Sequence, residues 1–180
     1  MPVNPISRFP IPDINKLPDD IKGRILEVQE KSGFIPNVFL ALTHRPDEFR
    51  AFFTYHDALM VKDSGLSKGE REMIVVATSS LNECIYCVVA HGAILRIREK
   101  NPLIADQIAT NYRKADISVR QRIMLDFAIK VSRNAQEVSE EDVWDIGSIS
   151  ALFALSNRIA NMAGIRPNDE FYNMGRETKN

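Results

Sequence analysis

From residue 19 onward, apolar residues recur at helical intervals, and capping residues punctuate the runs. Ile21, Ile25 and Val28 predict a helix that Asp19 or Asp20 caps and Gly33 ends. Phe34-Ile35-Pro36-Asn37 reads as a break, followed by a short apolar turn over residues 38–42. Pro46 suits the first turn of a helix carrying Phe49, Phe52, Phe53 and Leu59 and ending near Gly65. Ser67-Lys68-Gly69-Glu70 is a capping box, and the helix behind it places Met73, Val76, Ala77 and Leu81 on a stripe. Asn82 is expected to cap a helix over residues 83 to about 100. Asn101-Pro102 predicts the start of another, with Ile104, Ile108 and Tyr112 on one face. Ser118-Val119-Arg120-Gln121 is a second capping box, leading to Ile123, Phe127 and Val131. Ser139-Glu140-Glu141-Asp142 resembles a third, opening a long helix through Trp144, Ile149, Phe153 and Ile159 that Gly164 and Pro167 stop.

No strand alternation competes with this pattern. Ile74-Val75-Val76 is a β-branched run, but it lies inside a capped helix. The expected fold class is all-α, in one domain over residues 19–180. Residues 1–18 contain five prolines and read as an extended arm that lies across a neighbouring surface.

Composition narrows the function classes. The chain has 180 residues, long enough for one domain with a sizeable core. Its net charge of -1 gives no general attraction to nucleic acid or anionic membrane. Residues 1–12 hold one basic residue and four prolines, which is no secretory leader, and no run of about 18 apolar residues exists to span a membrane. The cytoplasm is the expected compartment.

The two cysteines are three residues apart, in Asn82-Glu83-Cys84-Ile85-Tyr86-Cys87-Val88-Val89-Ala90-His91. On a helix, positions 84, 87 and 91 fall within roughly 60° of one another. The first turn of a helix stabilises a thiolate through unpaired N–H groups and the dipole, lowering a cysteine pKa from about 8.5 toward neutrality. Such a thiolate can take an oxygen from a peroxide, and the second thiol can condense with the resulting sulfenic acid. Glu72 lies on the preceding helix at the edge of its apolar stripe. With antiparallel packing through the Ser79–Asn82 turn, it can reach His91 and orient the imidazole. Three other readings of the cluster stand beside this one: a chance pair of small buried cysteines, a zinc site built from Cys84, Cys87, His91 and Glu72, and a thioredoxin-type motif. The second lacks a further CxxC or HxxxH pair, and the third lacks the preceding strand.

Glu72, eleven residues, then Cys84-x-x-Cys87 and His91 four further on match a known pattern. The sequence resembles the alkyl hydroperoxidase D-like branch of the carboxymuconolactone decarboxylase superfamily, and within it the peroxidase-related proteins. The likeness extends over Gly33 to Phe39, His56 to Met60, Gly65 to Val76, Tyr86 to Gly92, Asp106 to Ala109, Trp144 to Ile146, Leu155 to Arg158 and Pro167 to Tyr172. It implies a helical homo-oligomer (dimer, trimer or hexamer) with the site near subunit contacts. It implies a thiol-dependent peroxidase in which Cys87 attacks peroxide, Cys84 is its disulfide partner, and His91 with Glu72 relays protons. An external thiol or dithiol would restore the dithiol, and no cofactor or metal is called for. Two departures stand out. Tyr86 occupies a position where the hydroperoxidases carry a second histidine, and residues 133–143 are shorter than in related sequences.

Other residues are weighed on the same terms. His44 reads as a helix-end cap. His56, among aromatics, reads as a core or interface histidine within reach of the thiol pocket. Trp144 reads as core, and Arg96 and Arg98 as solvated surface. Asn157 and Asn161 share a face expected to line the site or a subunit contact. Two further functions use the same scaffold: a protein disulfide reductase or redox sensor, and a non-redox enzyme acting on a lactone or similar acid.

Overall fold

The fold is known from a computed structural model that describes residues 5–134 and 143–176. Among these the secondary structure is helical, without strands. The helices are α1 (Asp19–Ser32), α2 (Asn37–Leu42), α3 (Pro46–Met60), α4 (Lys68–Leu81), α5 (Ile85–Glu99), α6 (Ile104–Asn111), α7 (Val119–Asn134), α8 (Val143–Ala163) and α9 (Asp169–Asn173).

α4 is the axis of the molecule. Every residue from Gly69 to Ser79 is buried, not only one stripe, because α5, α6, α7 and α8 all pack against it. This explains Ile74-Val75-Val76: a helix surrounded on all sides accepts β-branched residues on every face. A second, smaller core forms where Leu17, Ile21, Ile25, Leu42, Phe49 and Phe53 bring α1 onto α3.

Both complete capping boxes form. Glu70 N–H donates to Ser67 Oγ and Ser67 N–H to the Glu70 carboxylate. Gln121 N–H donates to Ser118 Oγ and Ser118 N–H to the Gln121 side chain. The third, at residues 139–142, lies outside the described residues, as does most of the shortened stretch. The arm makes its contacts within the chain itself. Arg8 N–H donates to Ala163 O at 2.8 Å and Arg166 N–H to Ile6 O at 3.1 Å, and residues 14–16 form a single 3-10 turn.

Several expectations are corrected. α3 stops at Met60 rather than near Gly65, because buried Arg71 draws in the carbonyls of Leu59 and Lys62 and the Ser64 hydroxyl. α6 begins at Ile104, two residues past Pro102. Arg96 is not solvated: it is 3% exposed and donates to the carbonyls of Phe171 and Met174, pinning the chain after α9. Trp144 is not core but 75% exposed.

The largest correction concerns Asn82. It caps no helix start; it closes α4, and Glu83 follows with φ +53. Glu83 N–H donates to Ser80 O and Cys84 N–H to Ser79 O, both at 3.0 Å, which is a Schellman motif. A left-handed residue other than glycine costs roughly 1–2 kcal/mol. Glu83→Gly removes that cost, offset in part by glycine's larger unfolded-state entropy. Urea denaturation of the reduced variant is therefore expected to show about 0.5–1 kcal/mol of added stability; an unchanged or lower midpoint contradicts this account.

Candidate active site

The turn at Glu83 fixes where both cysteines lie. Cys84 is the third residue past the end of α4 and also the N-cap of α5, so three residues reverse the chain. Its sulfur occupies the place of a capping oxygen. No formal cap hydrogen bond closes, but the N–H groups of Cys87 and Tyr86 face the sulfur closely enough to stabilise negative charge. Cys87 sits one turn into the helix. Both thiols are free and buried, Cys84 at 0% and Cys87 at 1% exposure.

The same reversal sets α4 antiparallel to α5 and brings Glu72 to His91. His91 Nδ1 lies 2.7 Å from Glu72 Oε2. When the carboxylate is ionised it accepts from Nδ1, and in the neutral imidazole Nε2 then keeps the lone pair. The two side chains are 13% and 10% exposed. His91 also packs edge-on to Phe153 of α8, with ring centroids 4.7 Å apart.

α8 supplies the rest of the wall. Ser156 Oγ lies 3.8 Å from Cys87 Sγ. Asn157 is fully buried and donates to Ser79 Oγ at 2.9 Å, while Asn82 donates to the Asn157 side-chain oxygen at 2.9 Å. Asn161 donates to the Asn82 carbonyl at 3.3 Å. Asn157 thus lies beside the cysteines, bonded to the end of α4. Ser79, Asn82 and Ser156 were not singled out. The available signal was the polar run Thr78-Ser79-Ser80 closing an otherwise apolar helix.

Tyr86 and His56 are placed differently from one another. The Tyr86 hydroxyl accepts from Val38 N–H of α2 at 3.3 Å, and burial raises its pKa. It ties α5 to α2 rather than serving the thiols. His56, on α3, has its ring centroid 6.3 Å from that of Phe153, on the same aromatic side chain that His91 touches. His44 caps α2, with Nδ1 2.8 Å from Ala41 O. Among the described residues no group of three or more histidine, cysteine or acidic side chains converges as a metal site.

A family model for the carboxymuconolactone decarboxylase family matches residues 46–110, the stretch that holds Glu72, both cysteines and His91. The solved structure of an alkylhydroperoxidase AhpD core, an uncharacterized peroxidase-related protein from Ralstonia eutropha JMP134, is 65% identical over 98% of this chain and 100% of that one, with a TM-score of 0.96. The chain belongs to the AhpD-like branch of the carboxymuconolactone decarboxylase superfamily. A second solved structure, of an uncharacterized peroxidase-related protein from Silicibacter sp. TM1040, is 35% identical over 98% of this chain and 99% of that one, at a TM-score of 0.90. The debrominase Bmp8 shares the fold at 18% identity and a TM-score of 0.69, covering 92% of this chain and 93% of its own. No curated protein matches. No helix among the described residues is long and apolar enough to cross a membrane.

In this AhpD-like site the two sulfurs divide one proton unequally. The cysteines approach to near 3.3 Å. The Cys87 thiol donates to Cys84; that bond, helped by the backbone N–H of Cys87 and by Asn157 against the opposing effect of burial, lowers the Cys84 pKa to about 7. The same bond, then burial and the Cys84 charge, push Cys87 well above 9.0. The first proton therefore leaves the pair from the Cys84 side as pH rises through about 7. Thiolate absorbance or iodoacetamide alkylation is expected to titrate with that midpoint. Cys87→Ala removes the main donor, so the Cys84 midpoint moves up toward 9.0. A Cys84 midpoint that stays near 7 in Cys87→Ala contradicts this assignment.

Proposed function

We propose that the chain is a thiol-dependent peroxidase running a Cys84/Cys87 dithiol–disulfide cycle. The observation that carries this reading is the close dithiol with one acidified sulfur beside a carboxylate-oriented imidazole. The Cys87 proton passes to the Cys84 thiolate or to His91 Nε2, and the Cys87 thiolate attacks the hydroperoxide. An S–O bond forms and the O–O bond breaks, giving a sulfenic acid and an alkoxide that is protonated to the alcohol. Cys84 then attacks the sulfenic sulfur. The S–S bond forms, and the departing hydroxide takes a proton and leaves as water. An external thiol or dithiol reduces the disulfide, so the cycle suits a reducing compartment such as the cytoplasm.

The choice of Cys87 as attacking sulfur rests on its place one turn before His91 and on the family likeness. Glu72 holds His91 in the tautomer whose Nε2 accepts a proton. Burial of both sulfurs favours small reactants: a hydroperoxide for oxidation and a slender thiol or dithiol for reduction. The same burial weighs against a protein disulfide as the main substrate. A non-redox reaction leaves the dithiol without a role.

The reading includes a homo-oligomer. On α8, Trp144, Ala151, Leu155 and Met162 fall on one outward arc and are all exposed, an apolar stripe that supports self-association. Sedimentation is expected to return a multiple of the chain mass.

One equivalent of cumene hydroperoxide added to reduced protein is expected to consume both thiols and yield an intramolecular Cys84–Cys87 disulfide by mass spectrometry. Cys84→Ser should stop at a dimedone-reactive sulfenic acid on Cys87. Glu72→Gln should slow disulfide formation roughly 100-fold. Absence of the disulfide, or a Cys87→Ser variant that consumes peroxide at the wild-type rate, refutes the proposal.

A further inference from the structure

We propose that His56 is a second acid–base residue of this site, donating the proton to the oxygen that leaves the hydroperoxide. The inference rests on the peroxidase reading above. Its starting point is a duplication of geometry around one aromatic ring. His91 from α5 and His56 from α3 both lie edge-on to Phe153, with centroids at 4.7 and 6.3 Å and interplanar angles of 86° and 64°. Each Nδ1 faces a carboxylate, Glu72 Oε2 at 2.7 Å and Asp57 Oδ1 at 3.2 Å. Among the described residues no protein group engages the Nε2 of either ring.

The Asp57 carboxylate is itself held. Arg24 of α1 donates to both its oxygens, at 2.8 and 3.0 Å, and the guanidinium lies over the Phe53 ring. His56, first, and Arg24 keep Asp57 ionised at lower pH than usual. An imidazole backed by a fixed carboxylate and a guanidinium is oriented, not merely packed. The contrast with His44 is direct. That ring stacks on Phe9, and its Nδ1 meets the Ala41 carbonyl near the end of α2, which accounts for it structurally. The His56 side chain is 25% exposed, so it can be reprotonated from solvent.

The chemistry needs such a group. When the sulfur attacks, the O–O electron pair stays on the departing oxygen. An alkoxide is about as strong a base as hydroxide, far too basic to leave unprotonated near neutral pH. The leaving oxygen departs on the side away from the sulfur. Along α8, Ser156 touches Cys87, and Phe153, one turn on, is in ring contact with both His91 and His56. His91 is one turn from Cys87 and serves the sulfur. His56 reaches the same Phe153 ring from a different helix, α3, and is the imidazole left to serve the leaving oxygen. The step balances: the S–O bond forms, the O–O bond breaks, and the imidazolium N–H proton passes to the alkoxide to give the alcohol.

The test exploits leaving-group basicity. Single-turnover Cys84–Cys87 disulfide formation is followed with tert-butyl hydroperoxide, whose leaving group is an alkoxide, and with peracetic acid, whose leaving group is a weakly basic carboxylate. His56→Gln is expected to lose about 100-fold with the hydroperoxide and less than about 2-fold with the peracid, for which protonation is not required. The Cys84 titration near 7 and the thermal midpoint verify that the thiols and fold are intact. Asp57→Asn keeps the imidazole and is expected to show the same selective loss in weaker form, which covers a His56→Gln that folds poorly. Equal loss with both oxidants, or no loss with either, overturns the inference while leaving the peroxidase reading standing. A wild type that forms no disulfide with either oxidant overturns both.

Discussion

Three residues between two antiparallel helices set the geometry of this molecule. Because α4 is buried on all sides, it cannot shift or rotate to suit its neighbour, and α5 must start from wherever α4 ends. The Schellman turn defines that point, with Glu83 held left-handed and Cys84 bonded back to Ser79. From there helical periodicity does the rest. Cys87 and His91 appear one and two turns along, and the antiparallel run returns His91 to the level of Glu72. One residue more or fewer in the turn would rotate α5 by about 100° and separate the histidine from its carboxylate. A left-handed glutamate is tolerated because bonds on either side over-determine it.

The dithiol shows how a charge can be accommodated in a buried place. Two sulfurs at 0% and 1% exposure have little water to solvate a thiolate, so the protein supplies donors in its place. They are the Cys87 thiol, two N–H groups at the start of α5, and the Asn157 amide. Asn157 is in turn fixed by Ser79 and Asn82. The polar atoms at the end of α4 therefore have a use that their burial alone would not explain. A hydrogen bond strong enough to acidify one thiol necessarily makes the other harder to deprotonate, and Cys87 pays that cost. A base near Cys87 is thus a requirement of the arrangement, and His91 is the imidazole one turn away.

Local signals in the sequence carried most of the architecture. Capping boxes at Ser67 and Ser118, Pro46 at a helix start and Gly33 at a helix end depend on neighbours within four residues, and they form as read. The pairing of Glu72 with His91 was also legible, because a short turn between two helices leaves little freedom. Some misreadings involve partners or packing distant in the chain, and others a local choice that residue type leaves open. Arg96 is buried because carbonyls 75 and 78 residues away need donors. Trp144 is exposed because α8 turns that position outward. Asn82 favours helix starts and ends alike, and the left-handed residue after it gave no sign, being neither glycine nor asparagine. Which sulfur is the acidic one was equally hidden, since it depends on donor geometry at a turn.

Tyr86 brings these threads together. The position before Cys87 lies 100° round the helix from it and faces α2, where the Tyr86 hydroxyl takes the Val38 N–H and the ring is 4% exposed. A histidine there would have to give up that anchor or turn away from it to serve the thiols. The chain thus lacks one imidazole on α5 that related hydroperoxidases are expected to have, and the backbone of α2 has claimed the position. Acid–base capacity beyond His91 must come from another element. Among the described residues, α3 offers it in His56, an imidazole with an oriented carboxylate and an open nitrogen against the same Phe153 ring. On this view the tyrosine does not mark a weakened peroxidase site. Under the proposed peroxidase reading, it marks one whose second proton donor is assigned to a different helix.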